Sequence, residues 1–269
     1  MEVLHQTLST GAKLVGYLRE PAAEMPAFIT RPAMLIFPGG GYGYCSKREA
    51  DPVAMQFLQA GYNVFILTYT CRKDDTQPPL RWQPLIDAAG AILHIRRNAA
   101  KFRVDPFKIA VCGFSAGGHL AASSAVLAHT PAVQKALGIT GDEARPNAVV
   151  LGYPVVTTST LGHQGSTENL CGSDAALRAE MSLENQIQPG LPPFFVWHTV
   201  TDESVPVQNS LLLANALEEC DIPYELHLFA KGQHGMSTCT NEVNTPSAEN
   251  SAWVQLCTRW LANVLDFRL

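Results

Sequence analysis

Short apolar runs alternate with stretches of helical periodicity along most of this chain. Residues 33–37 form an apolar run of strand length that ends at a glycine cluster. Residues 51–60 read as a helix stopped at Gly61, and residues 63–69 as a strand rich in β-prone side chains. Over residues 84–100, Leu85, Ala89, Ile92, Leu93 and Arg96 fall on one helical stripe with a basic end, which suits a helix C-terminus. Residues 108–112 predict a strand, and residues 115–127 a helix whose Ala and Gly content allows close packing. Residues 148–153, 194–199 and 224–229 predict further buried strands, with helices at 207–219 and 249–265. Strands that are apolar throughout are those covered on both faces. Separated by helices, they predict an α/β fold with a mostly parallel central sheet and helices on both faces. Residues 7–19 alternate instead and predict an antiparallel strand pair at one edge.

Residues 155–192 break this rhythm. Gly, Ser, Thr and Asn are frequent there, with one short helix expected near 175–181. The stretch reads as a cap-like insertion over one end of the sheet, inside a single domain spanning 1–269.

Composition narrows the function. The 269 residues are 46% apolar and 16% charged, ample for a sizeable core and unlike a disordered chain. The 19 Lys and Arg against 24 Asp and Glu leave a net charge of -5. That balance argues against a nucleic-acid partner, because such binding needs clustered cations on phosphates. No run approaches the roughly 18 consecutive apolar residues of a membrane span, so no membrane partner is expected. Met1-Glu2-Val3-Leu4-His5-Gln6-Thr7 lacks the basic stretch and apolar block of a secretory leader. The 7 cysteines are odd in number and widely spaced, without Cys-x-x-Cys. They suit reduced thiols in a cytoplasm better than a disulfide framework or a zinc site. No metal and no cofactor is expected, since there is no His-Glu-x-x-His and no paired-cysteine spacing. Nothing in the sequence sets the oligomeric state.

The chemistry starts at residue 113. Gly113-Phe114-Ser115-Ala116-Gly117-Gly118 follows the predicted strand at 108–112 and opens the predicted helix at 115–127. This is a Gly-x-Ser-x-Gly turn in its required strand-to-helix context. A sharp turn lifts the Ser115 hydroxyl above the sheet, and crowding two residues either side admits only Gly. The helix N-terminus then points its dipole toward a developing oxyanion. A nucleotide-binding turn is the competing reading. It lacks support, because no P-loop Lys follows and no Gly-x-Gly-x-x-Gly closes the first strand.

A serine nucleophile needs a base, and the base an orienting acid. In such folds the order is Ser, acid, His. Five histidines follow Ser115 beyond its helix or near its end: His129, His163, His198, His227 and His234. His234 lies in the Gly-flanked Lys231-Gly232-Gln233-His234-Gly235, just past the last β-prone run, and is the candidate base. His227 sits inside a strand and His198 at a strand end, both better suited to structural roles. Asp202, shortly after a strand and before a Val-Pro turn, is the candidate acid, with Glu203 its rival. Asp87, Asp105 and Asp174 fail on order or surroundings. Upstream, Pro38-Gly39-Gly40-Gly41-Tyr42 ends the first predicted parallel strand. Three glycines let backbone amides approach a substrate oxygen, and with the Ala116 amide they would form an oxyanion hole.

These pieces resemble α/β-hydrolase serine esterases, related to the hormone-sensitive-lipase type. The chain is more closely similar to acetyl-xylan-esterase-like and bifunctional feruloyl/acetyl carbohydrate esterases. The resemblance runs from Ala33 to the C-terminal helix. Besides the turns above, it is carried by Arg48-Glu49-Ala50-Asp51-Pro52, Asp105-Pro106-Phe107-Lys108-Ile109 and Ser182-Leu183-Glu184-Asn185. Lipase-type relatives usually begin the oxyanion loop with His, where Pro38 stands here; the departure fits the carbohydrate-esterase branch. The resemblance implies catalytic Ser115, Asp202 and His234, with Gly40, Gly41 and Ala116 donating to the oxyanion. It implies removal of acetyl or other short acyl groups from sugars through an acyl-enzyme. Tyr42, Tyr44, Cys45, Asn185 and Trp197 are candidates to line a sugar pocket, the alternative for Tyr and Trp being core or rim. In a cytoplasm the substrates would be imported oligosaccharides. Two other readings stand: a broad carboxylesterase or feruloyl esterase, and a catalytically inactive hydrolase fold used for binding.

Overall fold

The computed structural model describes residues 1–269. The chain opens with the hairpin β1 (Glu2–Thr7) and β2 (Lys13–Leu18) and continues through β3 (Arg31–Phe37), α1 (Asp51–Gln59) and β4 (Asn63–Thr68). Then come α2 (Gln83–Arg97), α3 (Ala99–Phe102), β5 (Val104–Phe114), α4 (Ala116–Val126), α5 (Pro131–Leu137) and β6 (Ala148–Gly152). The last third holds α6 (Gln164–Cys171), α7 (Ala175–Glu180), β7 (Phe194–Thr199), α8 (Gln208–Glu219), β8 (Tyr224–Phe229) and α9 (Ala252–Val264). The eight strands form one sheet in the order β1-β2-β4-β3-β5-β6-β7-β8. All neighbours from β4 to β8 run parallel, and only β1–β2 and β2–β4 are antiparallel.

Alternation within the central strands explains why they are apolar throughout. In β3, Ala33, Leu35 and Phe37 enter the core that α2, α4 and α8 cover, while Met34 and Ile36 enter the core under α1 and α9. In β7, Phe194 and Val196 face one core and Phe195 and Trp197 the other. Period-two side chains on a strand covered twice leave no position for water. Helix α4 is buried along its whole length, which its small residues permit.

Two expectations need correction. Strand β8 is only half-buried, because it is the outer edge of the sheet. The hairpin begins at Glu2, and residues 8–12 form its turn, closed by Leu8 N–H on Ala12 O at 2.9 Å. The exposed edge strand β1 is mostly polar, so its pattern carried little signal. Helices α5 and α6 carry no clear pattern in the sequence, being short and set in segments whose composition reads as loop.

In a parallel sheet, loops at the carboxyl ends of the strands meet on one rim. The turns after β3, β5, β7 and β8 carry Gly39–Gly41, Ser115, Asp202 and His234, respectively.

Candidate active site

Ser115 sits between β5 and α4 with φ 55° and ψ -121°, a conformation that an L-residue resists. The surrounding glycines make room for it. A Cβ on Gly113 would lie 2.0 Å from Gly117 O, and one on Gly117 would lie 2.1 Å from Phe37 O. The turn is tied down by Ser115 N–H on Gly152 O at 3.0 Å.

Three side chains meet here in one hydrogen-bonded chain. Ser115 Oγ lies 2.8 Å from His234 Nε2, and His234 Nδ1 lies 2.7 Å from Asp202 Oδ2. A carboxylate can only accept, so Nδ1–H donates to Asp202 and Nε2 is left to accept from the serine. The other Asp202 oxygen accepts from Ser204 N–H and Val205 N–H, each at 2.9 Å. Burial alone would raise the Asp202 carboxyl. Hydrogen bonds from His198 and His234 outweigh it, with help from the Val205 amide, and hold the carboxyl well below the ordinary range. Glu203, its rival, is exposed. His198 is fully buried; its Nε2–H is shared between Val205 O at 2.9 Å and Asp202 Oδ2 at 3.4 Å, and its Nδ1 pairs with Ser210 Oγ. His227 pairs with Glu225 on β8, away from this chain.

Opposite Ser115, the loop from Pro38 to Ser46 curls back on itself. Gly43 N–H and Tyr44 N–H both bond Gly40 O, and Ser46 N–H bonds Gly39 O. The Gly40 and Gly41 amides take no part in these bonds. Ala116 opens α4, where the first amides have no acceptor within the helix. Gly40 and Gly41 have φ values of 128° and 63°, which glycine adopts freely.

Remote side chains hold this loop. Glu49 is buried; its Oε2 accepts from Gly39 N–H at 2.7 Å and its Oε1 from the Tyr153 hydroxyl at 2.7 Å. Burial raises the Glu49 carboxyl above its ordinary value, although the Tyr153 and Gly39 hydrogen bonds pull the other way. Tyr153 packs edge-on against the His234 ring at 5.0 Å and accepts Ser237 N–H at 2.8 Å. Tyr42 donates to His119 Nδ1 at 2.7 Å, and His119 Nε2–H donates to Met181 O at 2.9 Å. Desolvation lowers the buried His119 to about 4. Asn169 Nδ2 donates to Gly41 O at 2.9 Å.

Between loop and turn lies a cleft of about 410 Å³ whose only hydrophobic lining residue is Tyr44. Arg48, Glu49, His163, Asn169 and Ser204 join Ser115 and His234 around it. His163 belongs to the 155–192 segment and caps α6, accepting Ser166 N–H at Nδ1. Burial, with repulsion from nearby His234, lowers its pKa against the opposing pull of Asp202. Of the candidate sugar contacts, the structure brings only Tyr44 to the cleft. Tyr42 is buried against His119, and Trp197 is buried in stacking contact with Trp253. Asn185 is exposed in a 3-10 turn outside the cleft, and Cys45 is half-buried and does not line it. Local pattern marks neither Glu49 nor Asn169 as a site residue. Residues 48–52 stand out only through family likeness, and His163 only as one of the histidines that follow Ser115.

No helix is long and apolar enough to cross a membrane. Residues 24–217 match the BD-FAE family, a stretch that includes Ser115 and Asp202 and stops short of His234. Endo-1,4-beta-xylanase B of Butyrivibrio fibrisolvens is 40% identical over 80% of this chain and 34% of its own length. An acetylxylan esterase of Xylanibacter ruminicola is 28% identical over 76% of this chain and 40% of its own. The chain thus spans well under half the length of these curated relatives. The crystal structure of an acetyl ester-xyloside bifunctional hydrolase from Caldicellulosiruptor lactoaceticus superposes with a TM-score of 0.80. It is 32% identical, and the match covers 94% of this chain and 88% of that one. With its eight-stranded sheet and rim of strand-end loops, the chain has the α/β-hydrolase fold and belongs to the BD-FAE family.

Proposed function

We propose that this chain is a serine carboxylic-ester hydrolase that removes acetyl or other short acyl groups from saccharides. The observation that carries the reading is the unbroken chain Ser115–His234–Asp202 facing the Gly40 and Gly41 amides across a polar cleft. Ser115 Oγ attacks the ester carbonyl as His234 Nε2 takes its proton, and Asp202 stabilises the imidazolium so formed. The amides of Gly40, Gly41 and Ala116 receive the oxyanion. His234 returns the proton to the leaving sugar hydroxyl, and water then hydrolyses the acyl-enzyme by the same route in reverse. Residues 155–192 act as a small cap within a single catalytic domain and bring His163 and Asn169 over the cleft. The polar wall suits a hydroxyl-rich leaving group and offers no greasy tunnel for a long acyl chain. Seven unpaired cysteines suit work in a reducing compartment such as the cytoplasm, on oligosaccharides rather than polymeric xylan.

The test compares acetyl to decanoyl p-nitrophenyl esters beside acetylated xylo-oligosaccharides. Acetyl esters should have the highest kcat/KM. A profile climbing along the series by about 0.8 kcal/mol per methylene would favour the broad-carboxylesterase reading instead. A fluorophosphonate should label Ser115, and Ser115→Ala should lose turnover by several orders of magnitude while remaining folded. A wild-type protein that resists the label would be the inactive binding fold.

A further inference from the structure

Two cysteines lie on the segments that anchor the oxyanion loop. Cys45 follows Tyr44 within the loop itself, and Cys71 lies just past the end of β4. Their sulfurs are 3.8 Å apart, and both residues are half-buried. No other two cysteines of the chain share a sulfur–sulfur hydrogen bond; Cys112, Cys171, Cys239 and Cys257 are buried, and Cys220 donates to Ile187 O. A disulfide requires sulfurs about 2.05 Å apart, so this pair must close by roughly 1.7 Å. The two thiols are also unequal. The hydrogen bond from Cys71 lowers the Cys45 thiol despite burial, while the same contact, followed by burial, raises Cys71. The Cys71 thiol also donates to Tyr69 O at 3.4 Å, a contact that holds its proton, so disulfide exchange would run with Cys45 attacking and Cys71 resolving.

We propose that Cys45 and Cys71 form a reversible disulfide by exchange with a low-molecular-weight disulfide, and that closing it displaces the oxyanion loop and slows ester hydrolysis. Cys45 Sγ attacks one sulfur of the small disulfide and expels the first thiolate. Cys71 then loses its proton to solvent, and its sulfur attacks Cys45 Sγ, breaking the mixed disulfide and releasing the second thiolate. The two protein sulfurs give up two electrons in all, which reduce the small disulfide to two thiols. The coupling to the loop is steric. Tyr44 N–H bonds Gly40 O, Ser46 N–H bonds Gly39 O, and a Cβ on Gly40 would already sit 2.2 Å from Tyr44 O. Backbone on either side of Cys45 is thus packed against the glycines without slack. The Cys71 side is anchored from outside the loop, since Thr70 N–H bonds Oδ2 of Asp87, buried in α2, at 2.8 Å, and Arg72 N–H on Tyr42 O at 2.8 Å and the Tyr69 hydroxyl on Pro38 O at 2.6 Å join that anchored segment to the loop. Misplacing a catalytic group by about 1 Å costs on the order of 100-fold. The effect on hydrolysis rests on the oxyanion role proposed above for Gly40 and Gly41; the disulfide itself does not.

The experiment treats the whole chain with oxidised glutathione, traps remaining thiols by alkylation, and maps peptides. The expected product is lighter by two hydrogens and contains a peptide linked through Cys45 and Cys71. In the same samples, kcat on a short-acyl ester should fall about tenfold or more. Dithiothreitol should restore it, Cys45→Ser should resist the loss, and Cys71→Ser should stop at glutathione on Cys45 with no linked peptide. In the wild-type chain, glutathione left on Cys45, or linkage through other cysteines, overturns the site. A linked peptide with unchanged kcat overturns the coupling to the loop. A reduced protein with no ester hydrolysis would sink the proposed function, and with it the coupling, while the peptide map still decides the disulfide.

Discussion

The nucleophile turn and the oxyanion loop face each other across the cleft, and both bend the backbone where side chains resist. They are held in different ways. At the turn, the constraint is crowding by close backbone: Gly113 against Gly117 O, and Gly117 against Phe37 O and Pro38 O. At the loop, Gly40 passes as close to Tyr44 O, but Gly41 is open, and what ties the loop to the rest of the fold is hydrogen bonding to distant side chains. Glu49, Tyr69, His119 and Asn169 lie 10, 31, 77 and 128 residues from the loop positions they hold. The turn should therefore fail when anything is added to it. The loop, outside its crowded Gly40, should fail when a remote partner is taken away.

The largest effect should come from adding a methyl to the turn. Gly117→Ala puts a Cβ 2.1 Å from Phe37 O and 2.5 Å from Pro38 O, backbone atoms that cannot swing aside. Stability in urea should drop by about 3 kcal/mol or more. A loss under about 1 kcal/mol would contradict the crowding account.

Next is the remote support through His119. Its folded-state pKa is lowered from 6.5 to about 4, so between those values the unfolded chain binds more protons than the folded one. Wild-type stability must then fall as pH drops from 6.5 toward 4. His119→Gln lacks this titration. The stability gap between wild type and variant should be widest above pH 6.5 and narrow by up to about 3 kcal/mol by pH 4. A gap that stays constant with pH would mean that His119 is not held neutral by burial.

Glu49→Ala should come third. It leaves Gly39 N–H and the Tyr153 hydroxyl unpaired beside the oxyanion amides. Such amides act on the transition state, so kcat should fall tenfold to a hundredfold, about 1.4 to 2.7 kcal/mol, with KM less affected. A change confined to KM would break the link between Glu49 and the loop. The smallest effect is expected at Gly41→Ala. Its φ of 63° is left-handed, but the nearest atom to an added Cβ is 3.7 Å away, so only the conformational cost of about 1 kcal/mol applies. A penalty as large as that of Gly117→Ala would erase the distinction between the two regions.

Legibility in the sequence followed the same division. The parallel strands were readable because burial on both faces makes each a continuous apolar run, as in residues 33–37 and 194–199. Edge strands were misjudged: β8 reads as apolar yet is half-exposed, and β1 reads as polar yet is paired. Whether a strand has one neighbour or two is a property of the sheet, which local pattern does not encode. Residues of one type also separated by context. Tyr44 reaches the cleft, whereas Tyr42, two positions earlier, turns into the core to meet His119.

By itself, then, the sequence determined which turns end which strands, and so which of Ser115, Asp202 and His234 would share a rim. Each lies within a few residues of a strand end, and a parallel sheet gathers those ends whatever the loops between them do. Only the tertiary structure decided what stands behind that rim. Glu49 bridging Gly39 to Tyr153, His119 joining Tyr42 to Met181, and Cys45 beside Cys71 are all contacts between segments far apart in the chain. A buried polar or sulfur-bearing side chain has many solutions for its partner. Packing of the complete fold selects one of them, and no local pattern carries that choice.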